Sequence, residues 1–175
     1  MNEFSKNGLT QLSPMELLRL HSSAADELKR RKITRSSNNP AGDLAEYIYC
    51  SAFDWKQAPA SMAAADAVCS QGIRYQIKSR RLTMANGSRQ LSAIRNLNEK
   101  RFDFLAGVLF DTQYAIQRAA IIPYDVVVGR SSFQGHTNSA LFMLAESVWD
   151  IEGVVDVTMH LRKAALELLD KKPPQ

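Results

Sequence analysis

Asp66-Ala67-Val68-Cys69-Ser70-Gln71-Gly72-Ile73-Arg74-Tyr75-Gln76-Ile77-Lys78 reads as two short strands joined by a turn that contains a glycine. Ile73 to Leu82 has the composition of a half-buried strand, and Asp66 to Cys69 is its hairpin partner. The length of the turn decides what the hairpin presents. Directly opposed residues of an antiparallel pair share a face, and their numbers have a constant sum. A two-residue loop at Gln71-Gly72 sets Asp66 opposite Ile77 and turns Gln76 and Lys78 away from it. A three-residue loop, Ser70-Gln71-Gly72, sets Asp66 opposite Gln76 and places Gly72 where such hairpins need a left-handed residue. The second register is expected. It lines Gln76, Lys78 and Arg80 up with Asp66 and turns Tyr75, Ile77 and Ser79 to the other face.

That face has a chemistry. The carboxylate of Asp66, the side-chain oxygen of Gln76 and the main-chain oxygen of Ile77 can together hold a hard divalent cation, which prefers oxygen ligands. Lys78 points to the same side and can orient a water molecule or stabilise charge developing on a phosphoryl group. Upstream, about Ala41 to Phe53 has helical spacing. Leu44, Ala45, Ile48 and Tyr49 form its buried stripe, and Asp43, Glu46 and Cys50 lie along another edge. Glu46 can therefore face a neighbouring site, with Asp43 as a partner for Glu46 or Lys78. The plainer alternative is a surface ion pair between Asp66 and Lys78, worth about 0.2–1 kcal/mol and no chemistry.

Outward from this core, Ser13-Pro14-Met15-Glu16 is a capping box with proline at the first helical position. Leu17, Leu20, Ala24, Ala25 and Leu28 carry an apolar stripe to about Lys32. Ser36 to Asn39 and Thr83 to Gln90 are polar loops. Ser92 is expected to cap a short helix to about Arg101, and Phe102 to Phe110 is a buried strand. Asp111 to Gln113 turns the chain into a strand from Tyr114 to Ile122. Pro123 stops that strand and opens a short helix through Val128. Arg130 to Asn138 reads as a loop and Ala140 to Leu144 as a short strand. Asp156 caps a last helix at about 156–170, with Pro173 and Pro174 beyond it. The expectation from these elements is an α/β single domain over 1–175 with a continuing mixed sheet.

Composition sets wider limits. The chain has 175 residues, 45% hydrophobic and 23% charged, which suits one sizeable core and excludes a disordered or fibrous polymer. A net charge of +4 is compatible with a nucleic-acid partner without identifying one. Cys50 and Cys69 lack metal-ligand spacing and suggest free thiols in a reducing, cytoplasmic compartment. The polar start, Met1 to Gly8, has no apolar leader core, and no run is long enough to span a membrane. Ala60 to Ala67 is Ala-rich without being a repeat. His21, His136 and His160 are too scattered for a zinc site, and there is no Gly-x-Ser-x-Gly elbow or Walker loop.

Asp66, Gln76, Ile77 and Lys78 in this setting resemble the PD-(D/E)xK nuclease superfamily, in the variant where glutamine replaces the second acidic residue, as in Mrr-type restriction enzymes. The resemblance covers about Asn39 to Ile122. It implies a restriction-endonuclease-like mixed sheet, Mg²⁺ (or Mn²⁺) near Asp66, and hydrolysis of a DNA phosphodiester by an activated water. It also implies an upstream helical glutamate, the place Glu46 takes. Ala65 stands where the motif has proline, and Gln76 leaves the site one negative charge short. The expected metal ligands are thus Glu46, Asp66, Gln76 and the Ile77 carbonyl, and Glu46, Asp66, Gln76 and Lys78 are the catalytic set. Arg74, Arg80 and Arg81 are candidates for contacts to nucleic-acid phosphates, with Arg80 in phase with Lys78. DNA is the expected partner, and the need to cut two strands points to a homodimer. The alternatives are a catalytically inactive nuclease-fold module that binds DNA or a protein, and an interaction protein with no nucleic-acid role.

Overall fold

The computed structural model describes residues 6–36, 39–58 and 65–169. Residues 1–5 of the polar start, loop residues 37 and 38, positions 60–64 of the Ala-rich stretch, the expected helix end at 170 and Pro173-Pro174 lie outside the described residues. In chain order the helices are α1 (Lys6–Leu9), α2 (Pro14–Arg30), α3 (Ala41–Phe53), α4 (Tyr124–Arg130) and α5 (Thr158–Leu169). The strands are β1 (Lys56–Gln57), β2 (Ala67–Val68), β3 (Arg74–Arg81), β4 (Ile94–Arg95), β5 (Phe104–Phe110), β6 (Ile116–Pro123), β7 (Ser131–Gln134), β8 (Ser139–Phe142) and β9 (Val155–Asp156). One mixed sheet has the order β1-β2-β3-β5-β6-β9, and a second sheet has the order β4-β8-β7. Within the larger sheet β3 and β5 run parallel, and the other neighbours are antiparallel. The chain is thus mixed α/β, as its alternating signals imply.

β5 explains the layering. Its alternate residues Ala106, Val108 and Phe110 pack with Leu44, Ala45, Ile48 and Tyr49 of α3 and Leu161 of α5. Leu105 and Leu109 pack on the other side with Leu91, Ile94, Phe142, Leu144 and Val127. A strand covered on both faces needs apolar side chains in both phases, which is why Phe104 to Phe110 reads as an unbroken apolar run. Gly107 lets the second sheet close: a Cβ there would lie 3.2 Å from both Leu144 Cδ2 and Leu91 Cδ1. From the helical layer, the Tyr49 hydroxyl donates to the Gly107 carbonyl at 2.8 Å, with the Ala120 carbonyl 3.3 Å away.

The hairpin has the register expected of the three-residue loop. Ala67 lies opposite Tyr75 and Val68 opposite Arg74, the constant sum of the expected register, and Asp66 stands just ahead of this ladder with its N–H on the Tyr75 carbonyl. Gly72 has φ +81°, and its N–H donates to the Cys69 carbonyl at 3.0 Å. An L-residue pays a steric penalty in that conformation, so Gly72→Ala should lower stability by about 1 kcal/mol without changing the sheet. Urea denaturation checks this through a reduced midpoint with an unchanged slope.

Two expectations fail, each where tertiary pairing overrides local pattern. Ser92 to Arg101 is not a helix: it holds β4 and a single 3₁₀ turn, Leu97–Glu99. Leu91, Ile94 and Leu97 have helix-like spacing, but Asn96 and Lys100 are left-handed (φ 52° and 45°) and the Leu91 N–H donates to the Phe142 carbonyl at 3.0 Å. Arg130 to Asn138 is not all loop, because β7 pairs residue for residue with β8 from Ser131↔Phe142 to Gln134↔Ser139. The α2 stripe is mostly exposed, with Ala25 and Leu28 half-buried. Its capping box forms, with the Ser13 N–H donating to Glu16 Oε2 at 2.8 Å, yet no α2 residue is buried. α2 also ends at Arg30, and Lys32 turns left-handed (φ 61°). At the other end, Asp156 accepts the Thr158 N–H at 2.9 Å from within β9, one position before the residue that caps α5.

Candidate active site

Asp66 sits just ahead of β2 with its backbone held from both sides. Its N–H donates to the Tyr75 carbonyl, and its carbonyl accepts from the Ala58 N–H, both at 2.9 Å. Its carboxylate therefore leans along β3. Oδ2 accepts the Gln76 side-chain amide and the Ile77 N–H, the latter at 2.7 Å, and lies 3.9 Å from Lys78 Nζ. These contacts all fall on Oδ2. Because a strand residue presents its N–H and C=O to the same edge, the Ile77 carbonyl faces the side on which Asp66 stands. Lys78 and Asp66 are 21% and 22% exposed, so their interaction is partly shielded from solvent. The shortest contacts to Asp66 come from Gln76 and the β3 backbone, which sets it apart from an incidental surface ion pair.

β3 alternates as expected: Tyr75, Ile77 and Ser79 are buried and Gln76, Lys78 and Arg80 half-buried. Rigid packing fixes the strand beneath the site. The Tyr75 ring stacks on Trp55 with centroids 3.6 Å apart, and Trp55 stacks in turn on Phe53 at the end of α3. Aromatic pairs of this kind add about 0.5–1.5 kcal/mol beyond their buried area.

Glu46 joins the site from α3. Its side chain is 13% exposed, pairs with Arg35 and accepts from Gln57 Nε2 at 2.9 Å. Burial, followed by the negative charge of Asp66, raises its carboxyl above the ordinary 4.5, and the Gln57 hydrogen bond and the Arg35 charge do not fully offset this. Cys50, one turn further along α3, is pushed up to about 11 by burial, with Glu46 and Asp66 adding to the effect. Glu46 and Cys50 thus share one electrostatic neighbourhood in which their ionisation is disfavoured.

The native state therefore holds a proton on Glu46 more tightly than the unfolded chain does. Wild-type stability should fall as pH rises from 4.5 through the raised value. Glu46→Gln should remove that slope and be the more stable protein at neutral pH, which thermal melts across a pH series will check.

Several expected residues are engaged elsewhere. Asp43 partners neither Glu46 nor Lys78: its Oδ2 accepts the N–H groups of Arg35 and Ser36 at 2.8 and 2.9 Å, fixing the loop that brings Arg35 to Glu46. Arg74 is bound to Asp103, with Nη2–Oδ1 2.9 Å and Nε–Oδ2 3.1 Å, and this hydrogen bonding holds the Asp103 carboxyl below its usual range. Arg81 lies 4.4 Å from the Tyr114 ring centroid and donates to the Thr112 carbonyl. The Arg80 side chain makes no hydrogen bond or ion pair among the described residues, and its Nε is buried. Arg35 and Gln57 are the residues the sequence reading missed. Each lies 11 positions from Glu46, with no local periodicity linking it to that residue.

Among the described residues no group of three or more His, Cys, Asp or Glu is placed to hold a metal ion. A cation between Asp66 and Glu46 would rely on two carboxylates, the neutral oxygens of Gln76 and Ile77, and water. That donor set suits Mg²⁺, which keeps several waters and uses one or two carboxylates. The electrostatics fit as well, since a positive charge there would relieve the strain that raises Glu46. No family model and no curated protein matches the chain. Among the described residues no helix is long and apolar enough to cross a membrane.

Proposed function

We infer that the chain is a metal-dependent nuclease that hydrolyses phosphodiester bonds in DNA. The observation that carries this reading is the convergence of Asp66, Gln76 and Lys78 on one face of the hairpin, with Glu46 close enough for Asp66 to disfavour its ionisation. Asp66 and Glu46 supply the anionic oxygens for a divalent cation, with the Gln76 side chain and the Ile77 carbonyl as neutral donors. When bound, such a cation supplies positive charge to a phosphoryl oxygen and acidifies a water molecule. Lys78 stands beside Asp66 with its ammonium free to donate to a phosphoryl oxygen as charge builds there, or to hold the attacking water in line. The Tyr75–Trp55 stack and the clamped Asp66 backbone keep these groups in place before substrate arrives.

A binding module without catalysis is the second reading. It is favoured because both carboxylates already have partners within the protein, Asp66 the Gln76 amide and Lys78, and Glu46 the Arg35 guanidinium. Incubation of supercoiled plasmid with the purified chain separates the two. Nicking or linearisation in Mg²⁺ or Mn²⁺ that stops with chelator supports the nuclease. Retarded but uncut plasmid under all these conditions refutes it in favour of the binding module.

A further inference from the structure

We propose that a polar pocket at the C-terminal end of β3 holds the phosphate adjacent to the one attacked, so that the site takes a polynucleotide strand rather than a single phosphate ester. The pocket, of about 450 Å³, is lined by Arg80, Arg81, Thr83, Asn86 and Ser92, together with Ser79 and the chain at the start of α3. Among its described lining residues there is no carboxylate. It offers two guanidinium groups, hydroxyls and side-chain amides, the donor set with which proteins hold phosphate oxygens.

Arg80 is the informative residue. Arg35, Arg74, Arg89 and Arg118 each pair with an acid: Arg35 with Glu46, Arg74 with Asp103, Arg89 with Glu146 and Arg118 with Glu146 and Asp156. Arg80 is half-buried, has its Nε shut away from solvent, and has no partner among the described residues. A half-buried guanidinium with nothing to bind is costly, and an anion in the pocket would satisfy it. Arg81 is held beside it by the Tyr114 ring and the Thr112 carbonyl, its own Nε likewise buried and unpaired.

Position then names the ligand. Arg80 lies two residues beyond Lys78 on the same strand face, about 7 Å along β3. That is comparable to the separation of successive phosphates on an extended strand, so a chain whose reacting phosphate meets Lys78 presents its neighbour to Arg80. The register and the charge both run along β3, which gives the strand a track instead of a single contact.

The assignment of Lys78 to the reacting phosphate rests on the nuclease reading, so the test measures binding apart from cutting. Labelled single-stranded and duplex oligonucleotides, DNA and RNA, are titrated by fluorescence anisotropy in EDTA over a salt series. Arg80→Ala is expected to weaken the best-bound strand about tenfold and to lower the salt slope by about one. Arg80→Lys should recover part of the affinity, because it keeps the charge and loses the fork of donors. Ser92→Ala should weaken binding to a smaller degree, and Arg19→Ala on exposed α2 should bind as wild type does. Circular dichroism checks that each variant folds, and Arg80→Lys with Ser92→Ala carries the test if Arg80→Ala does not.

Equal affinity of wild type and both Arg80 variants overturns the pocket, as does an equal loss in Arg19→Ala or no binding of any oligonucleotide by wild type. Stabilisation by inorganic phosphate that depends on Arg80, without oligonucleotide binding, overturns the strand assignment and points to free phosphate. Arg80-dependent binding with no cleavage in Mg²⁺ or Mn²⁺ leaves the pocket standing and refutes only the hydrolase.

Discussion

Lys78→Ala and Asp66→Ala should each lower the rate of plasmid cleavage by about 10²–10⁴-fold while the protein stays folded. The two losses have different causes. Lys78 lies 3.9 Å from Asp66 and its side chain is part-buried, so its removal takes away charge stabilisation at the reacting phosphoryl group and little packing. Asp66→Ala removes the proposed anionic metal ligand and leaves the Ile77 N–H without its carboxylate acceptor. Raising the Mn²⁺ concentration should therefore recover part of the activity of Asp66→Ala and none of that of Lys78→Ala. Quantified nicking at several metal concentrations tests this. Equal activity of wild type and Lys78→Ala would refute the assigned role.

Tyr49→Ala should cost about 3–5 kcal/mol, the largest stability effect expected here. Tyr49 is fully buried, stacks 5.8 Å from Trp55, and carries the hydrogen bond from α3 to the Gly107 carbonyl, where β5 pairs with β6. Tyr49→Phe keeps the ring and should cost about 1–3 kcal/mol through the carbonyl left without its hydroxyl donor. Denaturant melts of the pair separate packing from hydrogen bonding. Because α3 carries Glu46, Tyr49→Phe should also weaken the proposed metal binding, which calorimetric titration with Mn²⁺ can measure.

The hairpin was legible because its information is local. Once Gly72 is assigned to a left-handed turn position, the strand period fixes which side chains join Asp66, and the structure has that register. The α3 helix was legible for the same reason, since Leu44, Ala45, Ile48 and Tyr49 repeat at helical spacing and all are buried. The capping box before α2 specified a helix start, but an amphipathic pattern says only that one face is apolar. It does not say what covers that face, and no α2 residue is fully buried.

The second sheet was illegible on different grounds. β4 and β7 are short and polar in places, and their strand character comes from pairing with β8, more than 30 residues from β4 in the chain. The same limit hid the partners of Glu46. Arg35 and Gln57 reach it from a loop and from β1, and no periodicity couples positions on separate elements.

By itself the sequence determined the local geometry of the hairpin, the α3 stripe and the two-phase burial of β5, because these depend on backbone period and turn sterics. The tertiary structure alone decided which charges meet. It gave Arg74 to Asp103 and Arg35 to Glu46, left Arg80 without a partner among the described residues, and brought Glu46 under the influence of Asp66. Electrostatic interaction depends on distance through space and on burial, and neither is a function of separation along the chain.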